Sequence, residues 1–215
     1  MQELIRNVDE MLATTRSVRR RIDFERAVEP GLIHECVEIA VQAPTGVGAE
    51  SWRFVVLTDP AKKAAMGALY RRSFDEYLDA QLREKQAAGE APEPLSPNYR
   101  YLADRMQDFP ALIVVCREGR PPADTAGQLA FYGSVIPAAW SLMIALRARR
   151  IGSTWTTLHA RYEDQSAAIL GMPEDATAAV VLPIGHMKDA TLRRAKRSAA
   201  PAVTFWNDWG STSEP

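Results

Sequence analysis

Two guanidiniums and a hydroxyl fall within four residues at Arg16-Ser17-Val18-Arg19. Arginine presents a planar fork of donors that suits phosphate or another anion, and a neighbouring hydroxyl and backbone amides add further donors. Read alone, the same residues describe a basic surface turn. A second segment, Ala43-Pro44-Thr45-Gly46-Val47-Gly48-Ala49-Glu50-Ser51-Trp52, carries two glycines between a helix-like and a strand-like stretch. Glycine lets the backbone approach a flat ligand closely. Glu50 and Ser51 supply polar contacts, and Trp52 anchors the loop in the core.

Other chemistry is missing from the sequence. It contains no GxSxG, HExxH, GxxxxGK[ST] or GxGxxG. His34, His159 and His186 are far apart and read as structural or exposed. Cys36 and Cys116 sit in apolar segments and are expected as buried free thiols, and no His/Cys cluster points to a metal. A chain without an obvious acid, base or nucleophile can leave the chemistry to a cofactor.

The bulk properties narrow the class. A chain of 215 residues, 47% hydrophobic and 25% charged, can bury one sizeable core as a single domain. The formal net charge of -1 argues against a nucleic-acid partner. The arginine clusters at 19–21, 147–150 and 193–197 read as solvated faces, with a local anion site as the sharper alternative. The opening MQELIRNVDEML has no apolar run, so no signal peptide is expected. Residues 134–146, the most apolar stretch, are too few to span a bilayer. A cytoplasmic protein without a membrane partner is the expectation.

Hydrophobic periodicity predicts helices over 2–14, 31–43, 61–88, 127–150 and 163–170. Short apolar runs predict strands over 53–58, 111–116 and 177–184, with an extended segment over 153–158. The proline-rich 89–97 is a loop, and the tail 201–210 is expected to be extended. The order of elements predicts an α+β layer fold, a mixed sheet flanked by helices. Residues 136–146 are apolar on nearly every face, more than one small subunit readily covers. Phe205, Trp206 and Trp209 in the tail also need a surface to pack on.

The ordered set of segments resembles the nitroreductase family of flavoproteins. That family carries R-[RH]-S-x-[RK] near its N-terminus and then A-P-S-x-x-N-x-Q-P-W-x-F at the start of a strand. Here these read Thr15-Arg16-Ser17-Val18-Arg19 and Ala43 to Phe54. Gly133-Ser134-Val135-Ile136-Pro137-Ala138, Ile151 to Thr157, Gly171-Met172-Pro173, Pro183-Ile184-Gly185, Lys196-Arg197 and Trp206 to Gly210 fit in order. The resemblance covers nearly the whole chain. It implies that Arg16, Ser17 and Arg19 contact FMN, and that Lys196 and Arg197 close on its phosphate. It places Thr156, Thr157 and Leu158 against the isoalloxazine ring, and lets Pro44, Thr45, Gly46, Gly48 and Glu50 reach the flavin of the other subunit.

The resemblance further implies an intertwined homodimer whose tail, about 201–215, wraps the partner. Electrons would pass from NADH or NADPH through FMN to a nitroaromatic, quinone-like or related small acceptor by a ping-pong mechanism. No catalytic side chain is expected, since flavin N5 carries the chemistry. Tyr70, Phe74 and Tyr77 with the loop 89–97 would line or cover the acceptor site, with Phe131, Tyr132 and Trp155 as further candidates. The sequence departs from the family at Gly48 for Asn, Glu50 for Gln and Ser51 for Pro. Those departures keep a second reading open, a non-catalytic flavin-binding or storage protein.

Overall fold

The computed structural model describes residues 2–46, 50–91, 97–188 and 191–212. They fall into two compact units: Thr15–Ala190, and Met1–Thr14 together with Thr191–Pro215.

The larger unit is built on a four-stranded sheet, β1 (Trp52–Leu57), β2 (Ala111–Glu118), β3 (Ile151–Ser153) and β4 (Ala176–His186), in the order β1-β2-β4-β3. The α+β layering matches expectation. The sheet, expected to be mixed, is antiparallel at every described pairing. A buried apolar run looks alike in either direction, and only the connections decide it. Central strands β2 and β4 are buried along nearly their whole length. Residues Ala111, Ile113 and Val115 of β2 share one core with α2 (Pro30–Ala40) and α6 (Ile136–Ala148), through Ile33, Cys36, Leu142 and Leu146. Alternation along the strand sends Leu112 and Val114 to the other face, where they are also fully buried. Both cysteines are buried and free, as expected.

Helix α2 ends at Ala40, earlier than Pro44 suggested. The long helix expected over 127–150 is interrupted after α5 (Thr125–Gly133), and Pro137 lies in the first turn of α6. Proline belongs there, since that turn has no intrahelical partner for its missing N–H. The run Thr125–Ala148 has 24 residues and is long and apolar enough to cross a membrane by composition alone, but half of it is buried inside the protein. Its second part, α6, serves as the core helix of this unit. Its apolar faces divide in two. Ala138, Ala139, Leu142, Met143, Ala145 and Leu146 enter the core, whereas Ile136 and Trp140 stay exposed. Helix α3 (Pro60–Ala87) starts at an Asp59 cap that accepts from Lys62 N. It is followed by α4 (Pro97–Arg105), which the sequence pattern did not reveal. Helix α7 (Glu163–Leu170) ends at Gly171, whose φ of 67° suits glycine.

In the smaller unit, α1 (Gln2–Thr14) places Leu4, Ile5, Val8 and Leu12 on one exposed face. The tail, expected to be extended, makes a 3-10 turn at Ala200–Ala202. A tight turn follows, in which Trp206 N donates to Ser211 O at 2.9 Å. Asn207 and Gly210 sit at positive φ, residue types that tolerate such a turn where a periodic pattern carries no sign of it.

Candidate functional site

The arginine segment is stapled to the sheet by its backbone. Val18 N donates to Ser153 O at 2.9 Å, and the buried Thr154 hydroxyl donates to Val18 O at 2.9 Å. Val18 is buried, Ser17 and Arg19 are half-buried, and Arg16 is exposed. Close approach is possible because β3 and β4 pair Gly152 with Gly185. A Cβ on Gly185 would stand 2.5 Å from Ile22 Cγ2 and 2.9 Å from Pro110, and one on Gly152 would stand 2.7 Å from Ile22 Cδ1. Two glycines thus make the trough into which Ile22 drops, carrying the arginines with it.

Arg19 then faces two tyrosines, Tyr70 of α3 and Tyr99 of α4. Its guanidinium lies over the Tyr99 ring, 5.4 Å from the centroid. Burial pulls its pKa below the ordinary value, and the tyrosines oppose that shift. Its Nε is buried without a hydrogen-bond partner among the described residues. An unsatisfied buried donor on a cation costs about 1–3 kcal/mol or more, so this atom is suited to receive an acceptor. Arg20 is tied down separately, with Nε donating to Asn98 Oδ1 at 2.9 Å and the guanidinium 4.7 Å from the Tyr101 ring.

Beyond β3 the chain keeps a strand-like course. Thr156 exchanges backbone hydrogen bonds with Val181, at 3.1 and 2.9 Å. Its side chain is buried and meets the Tyr70 hydroxyl, whose pKa burial raises. Leu158 opens a 3-10 turn, Leu158–Tyr162. Its carbonyl accepts from the Ser73 hydroxyl at 2.7 Å, and its N–H reaches Thr156 Oγ1 at only 3.5 Å. Thr157 between them is exposed. Phe74 is buried and stacks near Tyr70, with centroids 6.5 Å apart and planes at 12°.

The glycine loop is pinned at both described ends. Gly46 N donates to Ser134 Oγ at 3.2 Å. Ser51 O accepts from Glu118 N at 2.8 Å, while Ser51 Oγ accepts from Arg117 Nε at 2.9 Å. That last bond gives Ser51 a role proline could not fill. Glu50 is exposed, and its carbonyl accepts from Arg53. Gly48 lies outside the described residues. Pro44, with Ile39 and Ala43 of the preceding stretch and Ser141 and Ile144 of α6, lines an apolar groove of about 450 Å³. Thr45 is half-buried beside it in sequence.

The structure therefore brings Arg19, Tyr70, Phe74, Thr156 and Leu158 to one place. Phe131 instead packs beneath Arg117, 4.1 Å from its guanidinium, and Trp155 packs against the central core. Trp155 and Thr156 point oppositely because they are neighbours on an extended chain. Lys196 and Arg197 are exposed in the smaller unit. Sequence reasoning missed Ser73, Tyr99 and Thr154. Ser73 had a signal, since it lies three residues after Tyr70 on a helix and so shares its face. Among the described residues no group of His, Cys, Asp and Glu could hold a metal.

The nitroreductase family model matches residues 12–186. Iodotyrosine deiodinase 1 of Mus musculus is 25% identical over 197 residues, 90% of this chain and 67% of that protein. Iodotyrosine deiodinase of Thermotoga neapolitana is 25% identical over 179 residues, 83% of this chain and 88% of that protein. A crystal structure of oxidised iodotyrosine deiodinase bound to FMN and 3-iodo-L-tyrosine superposes with a TM-score of 0.69 at 18% identity, covering 93% of this chain and 98% of the other. The NADPH:FMN oxidoreductase of Vibrio harveyi, complexed with NAD+, gives 0.69 at 14% identity, covering 95% and 79%. At these identities the structural likenesses speak for the fold.

Proposed function

This chain belongs to the nitroreductase family, and from that premise we propose that it is an FMN-dependent oxidoreductase working as a homodimer. It takes electrons from NADH or NADPH and passes them in a ping-pong cycle to a nitroaromatic, quinone-like or related small acceptor. The observation that carries this reading is Arg19, a half-buried cation whose buried Nε has no hydrogen-bond partner among the described residues and which faces Tyr70, itself in contact with Thr156. A flavin phosphate or ring edge is an acceptor of the right kind. When bound, FMN supplies hydride and electron transfer at its N5. The chain's own residues bind and orient it. Arg16, Ser17 and Arg19 provide donors, Thr156, Thr157 and Leu158 lie against the ring, and Tyr70 and Phe74 exclude water. The family resemblance also gives Lys196 and Arg197 to the phosphate, and Pro44, Thr45, Gly46, Gly48 and Glu50 to the partner's flavin.

A second copy is supported by the exposed face of α6. Ile136 and Trp140 are exposed, one apolar groove of about 400 Å³ is lined by Leu129, Tyr132 and Ile136, and another of about 450 Å³ by Ser141 and Ile144 of the same helix. Exposed apolar area of this kind marks an interaction surface. In this reading residues 1–215 act as one domain, the tail wraps the partner, and the dimer is cytoplasmic, with neither nucleic acid nor membrane as partner.

The curated relatives favour a second reading, reductive dehalogenation of a halogenated aromatic. There two electrons and a proton replace the carbon–halogen bond with carbon–hydrogen and release halide. One anaerobic experiment orders these readings. Purified protein should be yellow, and NADH or NADPH should bleach it. Reoxidation by a nitroaromatic or quinone supports the first reading, and by 3-iodotyrosine with iodide release the second. A yellow protein that neither nucleotide bleaches points to flavin storage. A colourless protein that FMN cannot reconstitute rejects all three.

A further inference from the structure

We propose that Ser73 is a positioning residue for the flavin, fixing through the Leu158 carbonyl the turn that lies against the ring. The inference rests on the FMN reading above. Ser73 is 0% exposed, and its hydroxyl gives its proton to Leu158 O at 2.7 Å. One turn earlier on the same face of α3, Tyr70 meets the Thr156 side chain. One helix thus grips both ends of a three-residue segment. A carbonyl held by a hydrogen bond holds its whole peptide plane, since the peptide unit is rigid. The Leu158 N–H, by contrast, makes among the described residues the long 3.5 Å approach to Thr156 Oγ1, a weak bond that leaves it able to donate more strongly elsewhere. The opposite side of the turn is held by His159, whose Nε2 pairs with Ala178 O at 2.9 Å.

Flavin N5 accepts a hydrogen bond when oxidised and carries a proton when reduced. The alignment of the nearby backbone therefore weights the two states unequally. A serine that only glues α3 to the turn would affect stability, whereas one that aligns the turn would also move the flavin equilibrium.

The test uses full-length, FMN-loaded protein. Ser73→Ala should keep FMN affinity within about threefold, because the arginine contacts are untouched. The ratio of affinities for reduced and oxidised FMN should change about tenfold, a midpoint shift of about 30 mV for a two-electron couple. Ser166→Ala is the control. Its hydroxyl is also fully buried and donates to Glu163 O at 2.8 Å within its own helix turn. It should lower the melting temperature and leave the potential in place. If Ser73→Ala lowers melting as the control does, with potential and visible spectrum unmoved, the proposal is wrong and Ser73 is glue. Should the alanine variant not fold, Ser73→Cys carries the same readout, since a thiol is a weak donor of similar size. Wild-type protein that binds no FMN rejects the function reading along with this one, while normal binding with an unmoved potential rejects this one alone.

Discussion

The two units of the chain solve burial in opposite ways. Thr15–Ala190 closes its own core, with Phe109, Leu112, Ile113, Leu142, Leu146 and Leu182 fully buried. In the other unit, Leu4, Ile5, Val8, Leu12, Val203, Phe205, Trp206 and Trp209 are all exposed, Trp209 at 95%. Its only described ring contact is internal, Phe205 to Trp209 at 5.5 Å. A segment with so much open apolar area gains little by folding alone, because burial is the main force against chain entropy. The first unit buries its own core, whereas the second leaves its large apolar residues open. In the proposed dimer, this contrast puts the association surface at the termini and along α6.

The largest effect should come from removing the associating parts. Truncation after Pro201 deletes Phe205, Trp206 and Trp209, and aromatic anchors of this kind can each contribute about 2 kcal/mol or more to binding. The dimer dissociation constant should rise by at least about a hundredfold, since each 1.4 kcal/mol is tenfold. FMN should be lost with it, because each depends on the other by mass action. Sedimentation velocity and flavin absorbance read both, and circular dichroism should find the sheet intact. A truncated chain that stays a yellow dimer would break the contrast between the units.

A pair of substitutions sharpens it. Leu142→Ala, in the closed core, should cost about 2–5 kcal/mol of folding stability. Trp209→Ala should change that stability by no more than about 0.5 kcal/mol under conditions where the protein is monomeric. Urea melts at low protein concentration compare the two directly. Equal losses would mean that the tail is part of the self-sufficient core.

Arg19→Ala tests the site rather than the scaffold. It removes a charge-assisted contact of about 1.5–3 kcal/mol, so FMN affinity should fall about ten- to a hundredfold. Because the native Nε is already unsatisfied, apo-protein stability should hold or rise slightly. Fluorescence titration with FMN and a thermal melt without it separate the two effects. Unchanged affinity in both Arg16→Ala and Arg19→Ala would remove the flavin from this segment.

The closed unit was the more legible of the two in sequence. Its strands announced themselves as apolar runs, and Arg19 with Thr156 to Leu158 came from ordered motifs. The direction of pairing did not, because β1 and β2 carry apolar residues that suit either sense. Helix α4 stayed hidden because PNYRYLADR is short and mostly polar, with only Leu102 and Ala103 to mark a buried face, and Tyr99 was missed with it. Phe131 and Trp155 were expected at the acceptor site because aromatics mark both cores and pockets. Only the alternation of the extended chain decides that Thr156 meets α3 while Trp155 packs on the core. In the smaller unit the aromatic tail was conspicuous, but its turn rests on Asn207 and Gly210 at positive φ, which hydrophobicity does not encode.

The smallest predicted effect is a titration that a closed core produces and an open surface does not. His159 is 1% exposed, and its Nε2 lies 2.9 Å from Ala178 O, so that nitrogen carries the proton. Its Nδ1 is buried without a partner among the described residues. Burial holds the imidazole pKa below its ordinary 6.5, opposed by the Ala178 carbonyl and by Glu163. The folded protein therefore takes up this proton less readily than the unfolded chain does. Stability that depends on a neutral His159 is fully present above the ordinary pKa. It declines as pH falls from there toward the lower folded value. His159→Gln keeps a donor for Ala178 O and removes the titration. Melting temperatures from pH 8 to pH 5 should fall more steeply for the native protein than for the variant. Parallel slopes would show that His159 charges without cost, and that the turn behind the proposed flavin site is open to solvent.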